Sequence, residues 1–215
     1  MSYNLNMSIQ KTKSMAFIGK QHKRTKIVIG STIIEQVICF NYLGYTISYL
    51  QNVDIERKLG RFQQICGTIR RNLKNKTTRT TQLKFYKTVA VPVLTYGSEI
   101  WSLTETDKRK IETSEMRFLR SVAGLSLRDQ KRSVDIRNDL HIYNLNERIK
   151  SNKINWYHHV QRMDENRISK IILQYKPQGR RDIGRPRQRW KDDLPNTYSS
   201  CAHLLCSGIP FKISR

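Results

Sequence analysis

The residues whose spacing comes nearest to a metal-dependent active site are the adjacent aspartates Asp192 and Asp193. They follow Trp190 in the order aromatic-x-Asp-Asp, the order found in the catalytic hairpin of a polymerase. Two-metal chemistry needs at least two carboxylates that converge on Mg²⁺ from neighbouring strands. The flanking residues 188–189 and 194–196 are not the apolar strands of such a hairpin, and the predicted N-terminal strands contain a single acid, Glu35. We therefore expect a solvated or helix-terminal acid pair without catalytic function.

Histidines and cysteines are no better placed for chemistry. His158 and His159 are adjacent on a predicted helix, where neighbouring side chains diverge by about 100° and cannot both face one metal without help. Cys201 and Cys206, with His203 between them, lack the second ligand pair of a tetrahedral zinc site. No glycine-rich loop ends in Gly-Lys followed by Ser or Thr, so a phosphate-cradling P-loop is absent from the sequence. We expect no metal and no cofactor in this chain.

The chain contains no apparent targeting or membrane segment. Residues 1–10 are polar, without the apolar run of about 7–15 residues that a signal peptide needs. No stretch approaches the ~18 consecutive apolar residues of a transmembrane helix. Cys39 and Cys66 lie among apolar residues, and we expect both to be buried, reduced thiols. The sequence thus predicts a soluble intracellular protein with no membrane partner, in the nucleus or the cytoplasm.

Charge is the strongest signal in the composition. The chain carries 40 Lys and Arg against 17 Asp and Glu, a formal net charge of +23 over 215 residues. A compact body with this charge repels itself unless a polyanion neutralises it, and nucleic acid is the commonest polyanion because bound phosphates release counterions. The charge is also clustered: residues 1–34 contain no acid, and residues 176–191 carry seven basic residues and one acid. We expect RNA, DNA or an RNA–DNA hybrid as partner; a basic surface that serves solubility is the alternative.

Hydrophobic periodicity predicts an α+β fold that is mainly α. Short strands are predicted at residues 14–18, 26–29, 33–37 and 40–47, with Gly44 marking a bend. A helical stripe begins after the predicted N-cap Asp54 and comprises Ile55, Leu59, Phe62, Ile65, Ile69 and Leu73. Further helices are predicted at residues 80–91, 105–122, 133–140 and 146–163. The second should stop before Pro92, and the third should have Thr104 as its cap and Gly124 as its end.

Basic residues on or near these elements are the candidate nucleic-acid contacts. On the first helix they are Arg57, Lys58, Arg61, Arg70 and Arg71, which we place on one exposed helix face. Residues 178–190 are rich in Gly, Pro and Arg, and we expect this segment to be extended. Its candidate contacts are Arg180, Arg181, Arg185, Arg187 and Arg189. Trp190 should be exposed and is the preferred ring for stacking on a base. Trp156, Tyr157, His158, His159 and Arg162 form a second group of rings and cations, whereas we expect Phe62, Phe85 and Phe118 to belong to the core.

Several segments together resemble one known family. Residues 11–15 (KTKSM) and 40–48 (FNYLGYTIS) resemble the end of the palm of non-LTR (LINE-type) retrotransposon reverse transcriptases. Residues 96–101 (YGSEIW), 115–120 (EMRFLR) and 184–190 (GRPRQRW) resemble segments that follow in the same proteins. Each match is modest, but they occur in the family's order over about residues 5–194.

The resemblance implies a division of the chain into a palm remnant with a primer-grip-like hairpin (1–53), a helical thumb-like domain (54–124), a post-thumb helical region (125–176), a basic segment (177–195) and an irregular tail (196–215).

Lys11 would be the vestige of a general acid toward pyrophosphate, with Lys13 as its rival or as a nucleic-acid contact. Leu43 and Gly44 would approach the primer end. The family's catalytic aspartates are missing, so Mg²⁺ is expected only for the intact family enzyme.

Three functions are consistent with these observations. The first is a nucleic-acid-binding fragment of a reverse transcriptase that is inactive alone. The second is a subunit that completes a reverse transcriptase when a palm-bearing chain supplies the carboxylates in trans. The third is a domesticated or structural basic protein that binds nucleic acid or acidic partners.

Overall fold

The computed structural model of the chain describes residues 8–16, 24–48, 52–175 and 190–194. Its N-terminal part contains two small antiparallel sheets of two strands each, β1 (Val28–Ile29) with β2 (Thr32–Ile33) and β3 (Cys39–Tyr42) with β4 (Tyr45–Ser48). In the second sheet Tyr42 pairs with Tyr45 across a two-residue turn. Ser14 adds an isolated parallel bridge to Gln36.

Helices make up most of the remaining described residues. They are α1 (Val53–Leu73), α2 (Arg79–Phe85), α3 (Val91–Thr95), α4 (Glu105–Ala123), α5 (Ser133–Leu140), α6 (Leu145–Gln161) and α7 (Ile168–Gln174). Short 3-10 turns occur at Ser98–Ile100, Leu127–Asp129 and Trp190–Asp193. The predicted class, α+β and mainly α, is confirmed.

One hydrophobic core joins α1 to α3, α4, α5 and α6. Phe118 stacks on the buried Tyr86 ring and Phe62 packs edge-on against it, with centroid distances of 5.0 and 6.0 Å. The core includes Ile111 on α4 and continues to Ile149 on α6. It therefore contains residues on both sides of position 124, where we placed the end of the thumb-like region.

The ends of α4 follow from local sequence. The Thr104 side chain accepts from the backbone N–H of Asp107, and the Asp107 carboxylate accepts in return from the backbone N–H of Thr104, a complete capping box. Gly124 ends α4 with φ 75°, a left-handed conformation that glycine adopts without strain. The caps of α4 and the bounds of α5 are thus as predicted.

Two predicted helix ends are wrong. The N-cap of α1 is Asn52, because the carboxylate of Asp54 is held by tertiary partners instead of capping the helix. The second helix does not stop before Pro92 but passes through a π-helical turn, Tyr86–Ala90, into α3. In a helix, proline lacks an N–H donor and its ring clashes with the carbonyl four residues earlier. The π-helical turn, which is wider than an α-helical turn, accommodates both effects.

Some apolar residues are also placed differently from our expectation. The predicted strand at residues 40–47 is interrupted by the turn at Leu43 and Gly44, which makes it a hairpin. Cys39 is exposed on β3, whereas Cys66 is buried as expected. Phe85 is exposed and does not belong to the core, because the π-turn that follows it directs Tyr86 inward in its place.

Candidate nucleic-acid interface

Lys58 is buried, with 5% of its surface exposed, so our placement of this residue on an exposed basic face is wrong. Its Nζ lies 2.9 Å from the Oδ2 atom of Asp54 and donates to the carbonyl oxygen of Tyr96 at 2.6 Å. The same ammonium lies over the rings of Tyr45, Tyr96 and Trp101 at 5.0, 5.6 and 5.4 Å from their centroids. A desolvated cation with these partners is structural and cannot reach a phosphate.

Asp54 joins the β3–β4 hairpin to the loop after α3. Its Oδ1 accepts from the backbone N–H of Thr46 at 2.9 Å, and its Oδ2 accepts from the Nε1–H of Trp101 at 2.9 Å. Two of the segments that carry the family resemblance, residues 40–48 and 96–101, therefore meet at one buried ion pair. Tyr45, Tyr96 and Trp101 contribute their side chains to this junction.

The hairpin tip projects from this junction. Leu43 and Gly44 both have positive φ, 48° and 78°, as a tight two-residue turn of the I′ type requires. The Tyr96 hydroxyl donates to the carbonyl oxygen of Leu43 at 3.0 Å, while the Leu43 side chain is 73% exposed. The tip is thus held by its backbone and presents an apolar side chain to solvent.

The cations of α1 do not share one face. Arg57 donates to Asn41 Oδ1 and Thr46 Oγ1 at 2.5 and 2.7 Å, which ties it to the hairpin. Arg70 is 13 residues further along, and at ~100° per residue it points about 140° away from Arg57. Arg61 and Arg71 are exposed. The predicted single basic face of α1 is therefore wrong.

A basic groove runs between the C-terminal half of α1 and α4. We call it the α1–α4 groove and define it by its five cations, Arg70, Lys74, Arg109, Arg117 and Arg120. It has a volume of about 690 Å³, and a smaller cavity of about 140 Å³ adjoins it at Arg70 and Arg117. Its lining also contains the acid Glu112 and hydroxyl and apolar side chains: Thr113, Ser121, Ser133, Met116, Leu125 and Leu127.

Most of the groove cations have no protein partner. Within the described residues, no carboxylate or other hydrogen-bond acceptor engages the side chains of Arg70, Lys74, Arg109 and Arg117. Arg120 differs, because its Nη2 donates to the carbonyl oxygen of Lys131 at 2.9 Å. The one acid in the lining, Glu112, is paired with Arg137 at 3.1 Å. The groove thus presents unneutralised positive charge to solvent.

Of the five groove cations, the sequence predicted only Arg70 as a nucleic-acid contact. Arg109, Thr113, Arg117 and Arg120 recur at steps of 4, 4 and 3 on α4, a polar stripe that is visible in the sequence. The stripe could have identified a basic side of α4. It could not show that this side faces Arg70, because that relation depends on how α1 and α4 pack.

A second buried charge cluster fixes α4 beside α5. The Glu115 carboxylate accepts from Arg137 Nη2 at 2.8 Å and from the Tyr86 hydroxyl at 3.2 Å. Burial raises the pKa of Glu115 above its ordinary value, although hydrogen bonds and charge from Arg137 oppose this shift. Burial alone would lower the pKa of Arg137, but its bonds to Glu115 and Glu112 raise it. The cluster joins α4, one wall of the groove, to α5 and to the π-turn.

The comparisons with known proteins give one distant relative. No protein-family model matches the chain, and no solved structure matches it. Over 202 residues the chain is 23% identical to an uncharacterized transposon-derived protein of Caenorhabditis elegans, with 88% of this chain and 72% of that protein covered. The similarity indicates a transposon-related origin.

The remaining predicted contacts lie apart from the groove or outside the described residues. Lys11 is exposed near the N-terminus, and Lys13 forms an ion pair with Glu35. Trp190 is half-buried, and our expectation of an exposed ring is wrong: its Nε1–H donates to the carbonyl oxygen of Glu99 at 2.7 Å, and Lys153 Nζ lies 5.2 Å from its ring centroid. The positions outside the described residues are Arg180, Arg181, Arg185, Arg187 and Arg189.

Acidic residues do not form a metal-binding group in the part of the chain that the structure describes. No three His, Cys, Asp or Glu side chains there lie close enough together to hold a metal ion. Asp192 is exposed in its 3-10 turn. Among the described helices, none combines the length and the apolar character that crossing a membrane requires.

Proposed function

We propose that this chain is a nucleic-acid-binding piece of a retrotransposon reverse transcriptase, which holds phosphodiester backbone in the α1–α4 groove and does not polymerise on its own. The observation that carries the proposal is the set of unpaired cations in the groove, Arg70, Lys74, Arg109 and Arg117, in a chain of net charge +23. Guanidinium groups bind phosphate through two parallel hydrogen bonds, and each neutralised phosphate releases counterions.

The dimensions of the groove suit a stretch of backbone. Arg109 and Arg120 are 11 residues apart on α4, which at ~1.5 Å per residue separates them by about 16 Å along the helix. One strand of a duplex advances ~3.4 Å per phosphate along the duplex axis, so a duplex aligned with α4 presents about five phosphates of one strand over that length. Among the residues that the structure describes, the lining contains no aromatic ring and no Asn or Gln. Contacts of this kind position a nucleic acid without reading its sequence.

Two further observations support the family part of the proposal. The segments that resemble LINE-type reverse transcriptases follow the family's order, and two of them meet at the ion pair of Asp54 and Lys58. The name of the C. elegans relative records an origin in a transposon. Both agree with a chain descended from a mobile element.

The proposed lack of polymerase activity follows from where the N-terminal acids lie. Glu35 is paired with Lys13, and the Asp54 carboxylate accepts from Thr46 and Trp101 beside the ammonium of Lys58. A carboxylate with three partners in a buried site is not free to bind Mg²⁺. Incubation with primer, template, dNTPs and Mg²⁺ should give no extension, and any templated extension by the purified chain would contradict this part of the proposal.

A second candidate is a subunit that completes a reverse transcriptase in trans. It is favoured by β3, whose four residues are all exposed and which pairs only with β4 among the described strands. An unpaired strand edge with exposed apolar residues such as Phe40 and Tyr42 can accept another strand. Polymerase activity that appears only when a palm-bearing fragment is added would establish this candidate.

The proposal is tested by titrating the chain with single-stranded RNA, RNA–DNA hybrid and duplex DNA at several salt concentrations. Binding should weaken steeply with salt, with a slope of log K against log salt of about −0.9 for each phosphate contacted on a duplex. Binding that is weak at low salt, or insensitive to salt, would contradict the proposal. Stronger binding to an acidic protein than to any nucleic acid would favour a domesticated structural role.

A further inference from the structure

The outward side of α6 carries a row of polar side chains that is separate from the α1–α4 groove. Arg148, Asn152, Asn155, His159 and Arg162 recur at steps of 4, 3, 4 and 3, so they lie along one side of the helix and its C-terminal cap. Trp156 borders this row. We call the six residues the α6 outer face.

This side of α6 is mostly exposed. At ~100° per residue, its centre lies about 105° round the helix from the buried residues Leu145, Ile149, Lys153 and Val160. Trp156 projects at the edge of the buried stripe, with its ring partly exposed. On the outer face Arg148, Asn155, His159 and Arg162 are exposed and Asn152 is half-buried. Within the described ranges, none of these five side chains takes part in a hydrogen bond or ion pair with another residue. Their donors and acceptors are therefore available to a partner.

Trp156 gives the face a ring beside these polar groups. The ring is 38% exposed and lies 5.3 Å from the His159 ring, centroid to centroid, at an interplanar angle of 41°. Aromatic side chains of this kind stack on unpaired bases, and asparagine amides can donate to and accept from base edges. Arg148 and Arg162 lie at the two ends of the row, where they can reach phosphates. Rings and amides are what the α1–α4 groove lacks.

From this combination we infer that the α6 outer face binds the unpaired bases of single-stranded nucleic acid. The inference rests on the proposed function and adds a second surface to it, with the groove holding backbone and α6 holding bases. A recognition helix in the major groove of a duplex inserts its N-terminal residues. The N-terminal end of α6 is packed, since Leu145 is buried and Asn146 Nδ2 donates to the carbonyl oxygen of Lys108 at 3.1 Å. The geometry thus favours a single strand over a duplex.

The test compares W156L with Y143L, which removes another exposed ring outside α6; Tyr143 is 81% exposed. W156L should weaken binding to a single-stranded RNA oligonucleotide at least about fivefold, since stacking on one ring accounts for a factor of this size or larger. Its affinity for duplex DNA and its salt slope should stay at the wild-type values, because no charge is removed. W156F should retain most of the binding.

The inference would be overturned if W156L bound the single strand as tightly as Y143L, or if it lost single-strand and duplex binding equally. Should W156L prove unstable in thermal unfolding, N155A/H159A changes two exposed side chains of the same face and is expected to show the same selective loss. Wild-type protein that binds no nucleic acid would contradict the proposed function itself. If the wild-type protein binds nucleic acid and all α6 variants bind it equally well, only the inference about α6 is contradicted.

Discussion

Lys58 and Asp54, one turn apart on α1, form an ion pair with 2.9 Å between Nζ and Oδ2, and both side chains are almost completely buried. The pair lies where the β3–β4 hairpin, α1 and the loop containing Tyr96 and Trp101 meet. Hairpins of two strands are marginally stable by themselves. The pair therefore contributes to holding the hairpin against the helices.

Replacing Lys58 with Met should destabilise the fold strongly. The Asp54 carboxylate would keep its bonds from Thr46 and Trp101 but lose its counter-charge, and an uncompensated buried charge costs about 3–5 kcal/mol. The free energy of unfolding from urea titration measures the loss. The matched control is K110M, which breaks the exposed pair of Lys110 with Glu56 and should cost less than about 1 kcal/mol. Equal losses in the two variants would contradict a structural role for Lys58.

Glu115 should make stability depend on pH. Burial raises its folded-state pKa above the ordinary 4.5, so its contribution to stability is complete below pH 4.5 and is lost as the pH rises through the folded value. The free energy of unfolding of wild type minus that of E115Q should therefore fall as the pH rises above 4.5. A difference that rises over this range would mean that Arg137 outweighs burial and lowers the pKa of Glu115.

The two thiols that the structure describes should react very differently. Burial, with the charge of Glu115 as a smaller cause, raises the pKa of the Cys66 thiol from 9.0 to about 12, whereas Cys39 is exposed. In a C201S/C206S background, an alkylating reagent near pH 8 should modify Cys39 quickly and Cys66 only after unfolding, since the thiolate is the nucleophile. The raised pKa also means that Cys66 loses its stabilising contribution as the pH rises above 9.0. Rapid modification of two thiols in the folded protein would contradict this assignment.

Leu43→Asn should stabilise the protein. Leu43 has φ 48° in the hairpin turn, a left-handed conformation that costs a branched side chain more than Asn, and Asn-Gly is a preferred pair for this turn. We expect a gain of about 1 kcal/mol in the free energy of unfolding. L127N changes another leucine, 82% exposed and without a positive φ, and should give no such gain. Equal effects of the two substitutions would mean that the turn is not strained.

Elements set by local sequence could be predicted. The capping box of Thr104 and Asp107 and the left-handed Gly124 define α4 because their bonds join residues within one turn. The start of α1 could not be predicted in this way. Asp54 is a good N-cap by type, but its bonds go to Thr46 and Trp101, which only the tertiary fold brings near.

The candidate site could be predicted only in part for the same reason. Lys58 and Arg61 look alike in sequence, yet Lys58 is buried and Arg61 is exposed, because rings from Tyr45, Tyr96 and Trp101 surround only Lys58. Net charge predicted a polyanionic partner without showing where it would bind. The α1–α4 groove depends on the packing of two helices, and no periodicity within either helix reveals it.

The binding of phosphate in the α1–α4 groove is tested most directly by the salt dependence of duplex binding in R70Q/R117Q. Neither arginine has a partner within the described residues, so the fold should be unaffected. Loss of two phosphate contacts should reduce the magnitude of the slope of log K against log salt by about 1.8. The control K84Q/R167Q removes the same charge from exposed positions outside the groove and should keep the wild-type slope. Equal slopes in wild type, control and groove variant would contradict the claim that the groove holds the backbone.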